Sequence, residues 1–332
     1  EDMKMVEHRI SMGGRIVSVI GCVLAVVVGL SPAWAADYPQ KGKTIQLIVG
    51  NAAGGPTDLG ARILAAGIEK ELGVPVVVVN KTGANGQIQL TQVASSKPDG
   101  YVFGTVNFPV TITGYLDPTR KATYNRKSFE PLAMHVNDPN IFAVLTKSPY
   151  KTVKDLVEAA KARPKTITIS SGMRNDEQIG IVQLEKMTGA QFAQVSFTQG
   201  TAPSLVALLG GKIDVHCGHP ADVLGHVKSG DVRVLGVMDD EESPFMPGVK
   251  TFEAQGYKIY SASSRGYLMP AGTPKEIVNT LSGAMKKVMA TEEHKKKMAE
   301  MGLSLRYMDS AQLGKFWDES ETMVKELEPM LK

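Results

Sequence analysis

From Asp37 onward, short apolar runs alternate with stretches whose apolar residues recur at helical spacing. "TIQLIVG" enters the small-residue stretch "NAAGGPTD", and a helical pattern, "LGARILAAGIEKEL", follows to Leu72-Gly73. "VPVVVVN" leads through "KTGANG" to a helix closing near Ser96, and "GYVFGTVN" follows the turn residues Lys97-Pro98-Asp99-Gly100. Apolar runs alternating with helices predict buried parallel strands in an α/β sheet. A second series starts near Asn140: the strand "IFAVLTK", the amphipathic helix "KTVKDLVEAAKAR" opened by Thr152, then "TITIS" entering "SGMRND" and the helix "EQIGIVQLEKMTG". "AQVSF" enters "TQGTAPS" and the helix "LVALLGG", "KIDVHCG" enters "HPADVLGHVKSG", and "VRVLGVM" closes the series. The last part is predicted helical over Ile277 to Met289, Glu292 to Met301 and Ala311 to Leu331.

Two such series predict two α/β lobes, the first from 37–138 plus 263–332 and the second from 139–262. The chain then crosses twice between them, which makes a hinge. Strand ends facing each other across a cleft are where open α/β sheets bind ligands.

The first 36 residues break this pattern. Lys4, Arg9 and Arg15 precede the uncharged run Ile16 to Leu30, and Ala33-Trp34-Ala35 precedes Ala36. This is the layout of a secretory signal peptide, 1–35, cleaved after Ala35. The run is short against the roughly 20 residues a membrane anchor needs. Cleavage would remove Cys22 and leave Cys217 as the lone cysteine, so no internal disulfide is expected. The net charge of +3 gives no case for nucleic acid, and no cofactor motif stands out.

Candidate chemistry gathers at the strand-to-helix junctions. "NAAGGPTD" lacks the Gly-Lys-Ser/Thr of a phosphate loop and is not Gly-x-Gly-x-x-Gly. It contains no Lys or Arg, so a singly charged carboxylate suits its backbone donors and helix N-terminus better than a phosphate. A tight turn without a ligand is the plainer reading. Thr57 or Asp58 is expected to cap the helix. In "SSGMRND", Ser170, Ser171 and Asn175 offer neutral donors, and Arg174 offers a cation for a second carboxylate or is simply solvated. His216, Cys217 and His219 have a spacing that can ligate a metal. No compact partner set accompanies them, and on a strand His216 and Cys217 point to opposite faces, so no metal is expected. No nucleophile or metallohydrolase motif occurs, so no catalytic residue is assigned.

With these residues in view, the chain resembles the Bug/TctC family, the extracytoplasmic solute-binding proteins of tripartite tricarboxylate transporters. The resemblance rests on "YPQKGKTIQLIVGNAAGGPTD", "VVVVNKTGANGQIQ", "SKPDGYVFGTVN", "APSLVALLGGKID", "HVKSGDVRVLGV", "MPGVKTFEAQGY" and "MPAGTPKEIVNTL", spread over nearly the whole chain after residue 36. It implies a two-lobed periplasmic-binding-protein fold, each lobe a mixed, mostly parallel sheet flanked by helices. It implies a monomer exported to the periplasm that closes on a small organic acid and delivers it to membrane permease subunits. The ligand residues it implies are Ala52, Ala53, Gly54, Gly55, Thr57 and Asp58, and in the second lobe Ser171, Gly172 and Asn175 with the segment Phe197, Thr198, Gly200 and Thr201; Asn51, Asn107, Ser170 and Arg174 are candidates beside them on their own residue chemistry.

The chain departs from the family pattern in three places. Arg174-Asn175 replaces Gly-Ser, with Gln178 in place of a histidine. "FTQG" replaces Tyr-Lys-Gly, so that either Phe197 or Thr198 takes the tyrosine position. Ser263-Ser264-Arg265 stands where a tryptophan is common. The ligand's far end is therefore not inherited; citrate-like acids, C4-dicarboxylates, nicotinate and terephthalate-like acids all fit. Two other readings keep the same cleft: a secreted α/β enzyme using Asp58 or His219 as a base, and a ligand-loaded partner of a membrane sensor.

Overall fold

The computed structural model describes residues 38–197 and 200–331. The signal peptide reading and Thr198 lie outside the described residues. The first apolar runs become strands β1 (Ile45–Val49), β2 (Val76–Asn80) and β3 (Val102–Phe108), parallel, with β1 in the middle. Strand β4 (Phe129–Pro139), β10 (Ala262–Pro270) and β11 (Leu305–Met308) add antiparallel pairings, giving the order β11-β4-β10-β3-β1-β2. Alternation along each strand serves two cores. Leu47 and Phe103 pack under helices α1 (Pro56–Leu72) and α8 (Lys275–Ala290), while Ile48 and Val106 pack under α2 (Gln87–Ala94) and α10 (Ser310–Leu327).

The second series forms β5 (Ile141–Leu145), antiparallel to both β8 (His216–Gly218) and β9 (Val232–Val237). Strand β6 (Thr168–Ser171) pairs in parallel with β7 (Ala193–Ser196), and a parallel bridge from Ile169 to Val215 joins this pair to the others. Helices α4 (Val153–Ala162), α5 (Asp176–Thr188), α6 (Thr201–Leu209) and α7 (Pro220–Ser229) flank these strands. Both series thus form mixed strand pairings, but the expected mostly parallel sheets are not found among the described residues. The six-stranded sheet has two parallel and three antiparallel pairings, and β5 is antiparallel to both of its neighbours, because β10 and β11 run against the other strands of the first sheet and β5 against β8 and β9.

Some elements correct the pattern reading. The run "VVVV" forms an edge strand, not a buried one: Val76 is buried but Val77 is 47% exposed. Strand β4 escaped the pattern because it is buried on both faces and so shows no alternation. It carries the chain from the first sheet to the second, and β10 brings it back. At the junction, the Asn140 amide donates to the Ser261 carbonyl (2.8 Å) and the Met238 amide to the Asn140 carbonyl (2.8 Å).

Beneath β4 and β10, His135 and His294 (on α9, Glu292–Glu300) are buried with their Nε2 atoms 2.9 Å apart, and His135 Nδ1 lies 3.1 Å from the Tyr267 hydroxyl. Burial and the neighbouring His294 and Arg265 charges press His135 down to about 3; burial and Lys297 press His294 down to about 4. Folded pKa values below the unfolded ~6.5 mean that the unfolded chain binds more protons below that pH. Stability is therefore expected to fall as pH drops from about 6.5 to about 4, by up to about 1.4 kcal/mol per pH unit for each ring. His294→Gln should flatten this acid limb in urea titrations; an unchanged slope would contradict the assignment.

Candidate functional site

The loop between β1 and α1 is held from below. The Asn51 carbonyl accepts from Asn80 Nδ2 (3.0 Å), and its Oδ1 accepts from Asn107 Nδ2 (3.0 Å). Asn80 also donates to the Asp58 carboxylate (2.8 Å), which further accepts from the Gly54 amide (2.8 Å) and Arg62 Nε (2.9 Å). Burial pushes the Asp58 carboxyl up, but the donors Arg62, Gly54 and Asn80 outweigh it and hold it below the usual carboxylate range. Neither Thr57 nor Asp58 caps the helix: Gly55 is the N-cap, with Pro56 at the first helical position, and the Asp58 carboxylate folds the loop instead. Gly54 sits at φ +81°, a left-handed conformation natural to glycine. Ala52, Ala53 and Gly54 are exposed. Among the described residues, the amides of Ala52, Ala53, Thr57 and Asp58 have no protein acceptor. A 17-residue helix thus starts with its positive end and four unpaired donors, those of Ala52 and Ala53 on exposed residues, Thr57 half-buried and Asp58 buried.

The second group is built differently. Ser170 is not a free donor: its hydroxyl donates to the Cys217 carbonyl (3.3 Å) and accepts from the Cys217 amide (2.9 Å). Ser171 is buried, and its carbonyl takes the Phe197 amide (2.9 Å). Asn175 caps α5 by accepting from the Gln178 amide (3.1 Å), and its side chain folds over Gly172, where a Cβ would meet it at 2.1 Å. Arg174 adopts φ +56°. Its guanidinium, expected to be open to a ligand, is committed to both carboxylate oxygens of Glu328 (2.6 and 2.8 Å) and to the Leu331 carbonyl (3.2 Å). Arg265 is likewise paired, with Asp138 at 2.7 Å. Phe197 packs on the core of the second sheet. Gly200 is the N-cap of α6, and the Thr201 hydroxyl donates to Asp222 (2.9 Å). Among the described residues, no hydrogen bond joins the Asn51–Asp58 loop to this second group.

Sequence reasoning missed the cluster that orders the second group. His219 Nε2 lies 3.0 Å from Asp176 and its Nδ1 3.6 Å from Asp222, whose carboxylate also accepts the His219 amide (2.7 Å). Asn140 and Ser261, at the two crossings between the sheets, reach Asp176, through its carboxylate (3.0 Å) and carbonyl (2.6 Å). The spacing His219-Pro-Ala-Asp222 is a capping signal visible in the sequence. Burial pushes the His219 imidazolium down, but hydrogen bonds and charge from Asp176 and Asp222 reverse this and lift it to about 10. Burial beside Asp176 pushes the neighbouring Glu177 up to about 7. A His219 that stays protonated and an Asp58 with its oxygens engaged are both poor general bases at neutral pH. His216 bonds Ser204 (3.0 Å) on one face of β8, and Cys217 faces Glu177 on the other. Burial pushes the Cys217 thiol well up, which makes it inert. Among the described residues, no group of three or more His, Cys, Asp or Glu is placed to hold a metal, and no helix is long and apolar enough to cross a membrane.

A helix end with unpaired amides can hold an anion. Residues 60–329 match the family described as the tripartite tricarboxylate transporter family receptor, TctC. A UPF0065 protein from the gbd 5' region of Cupriavidus necator is 31% identical over 325 residues, covering 96% of this chain and 95% of that protein. A TctC solute-binding protein from Polaromonas, solved without ligand, superposes with a TM-score of 0.79 at 27% identity, over 88% of this chain and 99% of that one. The periplasmic binding protein BugD superposes at 0.65 and 27% identity, over 89% and 98%. Two Rhodopseudomonas palustris proteins at 23% identity share the fold, one solved with adipate (TM-score 0.70, 89% and 98% covered) and MatC with bound malate (0.65, 88% and 100%). The family match over residues 60–329 and the 31% identity along nearly the whole chain agree with the fold: this chain belongs to the TctC family of solute-binding proteins.

Proposed function

We propose that this protein captures a small carboxylate in the periplasm and hands it to the permease subunits of a tripartite tricarboxylate transporter, without chemical turnover. The observation that carries the reading is the set of unpaired amides at Ala52, Ala53, Thr57 and Asp58, on a loop already fixed by Asp58 and Asn80. Backbone donors at a helix N-terminus suit a carboxylate, and preorganisation lowers the ordering cost of binding. The lobes divide as 37–138 plus 263–332 against 139–262, with the Asn140–Ser261 junction as hinge. Ser171, Gly172, Asn175, Phe197, Thr198, Gly200 and Thr201 complete the site from the second lobe. A ligand that touches both loops favours the closed state, because only contacts made in that state shift the equilibrium. Malate and adipate, the acids bound by two proteins of the same fold, make dicarboxylates the first class to try. The protein acts as a monomer, exported by a signal peptide cleaved after Ala35.

Gly54→Val tests the placement. A Cβ at Gly54 meets no atom within 4 Å, so the side chain projects into open space beside the amides, while φ +81° disfavours any branched residue. Affinity for the best dicarboxylate is expected to fall at least ~100-fold, about 2.7 kcal/mol, with the far-UV spectrum unchanged. Unaltered affinity in titration calorimetry would refute the site.

A further inference from the structure

Arg174 is the one cation in the second-group loop, yet it is turned toward another element. Its backbone is left-handed, at φ +56°, a conformation uncommon and strained for a residue with a side chain. Two hydrogen-bonding arrangements hold it there. The Arg174 amide donates to Gln178 Oε1 (2.7 Å), one turn into α5. One guanidinium nitrogen, Nη2, is shared between the two Glu328 carboxylate oxygens at 2.6 and 2.8 Å, Nη1 donates to the Leu331 carbonyl (3.2 Å), and Nε lies 4.0 Å from the Asp117 carboxylate. Its side chain is only 15% exposed. Glu328 lies in the turn Glu328–Met330 that follows α10. That helix belongs to the core of the six-stranded sheet through Trp317, and the same core takes in Ile179 and Val182 of α5. The contact therefore ties the loop after β6 to a helix rooted on the other sheet. A part-buried charge-assisted contact of this kind is stronger than a neutral hydrogen bond.

We propose that Glu328 is a positioning residue for ligand binding: it draws the Arg174 guanidinium away from the ligand and pins the Ser171–Asn175 loop in its binding shape before any ligand arrives. This rests on the reading of that loop as part of the ligand site. Arg174 then sets the loop's conformation and is not the partner of a second ligand carboxylate.

The test is amide hydrogen exchange on the ligand-free protein, so that failure of the carboxylate reading and failure of this proposal can be told apart. Glu328→Gln is expected to speed exchange at the Arg174 and Gln178 amides at least ~10-fold while leaving β1–β3 amides unchanged. Arg174→Gly, in which glycine accepts the left-handed backbone, should free the same amides. Adding Glu328→Gln to Arg174→Gly should then change nothing further, because the pair acts as one unit. Glu326→Gln, which breaks only the exposed pair with Lys186, serves as control and should leave the loop alone. Unchanged exchange in Glu328→Gln overturns the proposal. Equal effects of Glu328→Gln with and without Arg174 overturn it too, as does a uniform acceleration across both sheets.

Discussion

Asp58→Ala is expected to cost about 2–3 kcal/mol of stability and to remove ligand binding altogether. The side chain is 1% exposed and accepts from three donors on three segments: Gly54 in the loop, Arg62 one turn on, and Asn80 at the end of β2. Hydrogen bonds to a charged group contribute roughly 1.5–3 kcal/mol, and donors left buried without a partner add their desolvation cost. Arg62 is 45% exposed and recovers water on truncation, which keeps the total below a simple sum. The larger loss is functional. Without the carboxylate nothing holds the Gly54 amide, and Asn80 keeps only its bond to the Asn51 carbonyl and the one it accepts from Arg62 Nη2. The open amides then no longer converge. Urea unfolding and calorimetric titration of the variant check both parts; near-normal stability would show that the buried carboxylate does not organise this loop.

Trp317→Ala is expected to lower stability by about 3–5 kcal/mol, the range for emptying a large buried aromatic site. The ring is fully buried on α10, stacked on Phe129 (6.1 Å between centroids) and edge-on to Phe108 (5.0 Å), and its Nε1 donates to the Tyr115 hydroxyl (3.2 Å). Arg126 covers it at 4.9 Å. Phe108 ends the strand that carries Asn107, so the cavity would loosen the base of the candidate site as well as the helix that anchors Glu328. Trp317→Phe should cost clearly less, since most of the apolar volume stays. Equal losses for the two variants would mean that the Tyr115 hydrogen bond, not packing, dominates.

Much of this architecture was readable because period and punctuation agree locally. "TIQLIVG" followed by "NAAGGPTD" marks a strand, a tight loop and a helix start, and the structure places them there, with the cap one feature off: Gly55 in place of Thr57 or Asp58. The cap was misread because an aspartate near a helix start has two uses. It caps from the N-cap position, or, three residues on, reaches back to the preceding loop. Strand β4 was invisible because burial on both faces erases alternation, and β2 was over-buried because "VVVV" cannot say whether a neighbour strand exists on its far side. The site's second half was legible as a loop but not as chemistry. Arg174 looked like a ligand cation because its partner, Glu328, lies 154 residues away, and no local pattern announces that pairing. The Asp176–His219–Asp222 cluster was missed for the same reason, although the His219-to-Asp222 spacing hinted at it. That cluster also carries a pH signature opposite to the His135–His294 pair. A His219 value raised to about 10 contributes stability that is complete below pH ~6.5 and is lost as pH rises toward 10.

The most direct test of carboxylate capture by open backbone amides is a nitrogen–proton NMR titration of the purified protein with aliphatic and aromatic mono-, di- and tricarboxylates. The account predicts saturable shifts at the amides of Ala52, Ala53, Thr57 and Asp58 with at least one acid. It also predicts a gain in stability of about 2.7 kcal/mol when that acid is present at 100 times its dissociation constant. Binding that leaves these four amides unmoved, or a folded, ligand-free protein that responds to none of the acids, would contradict it.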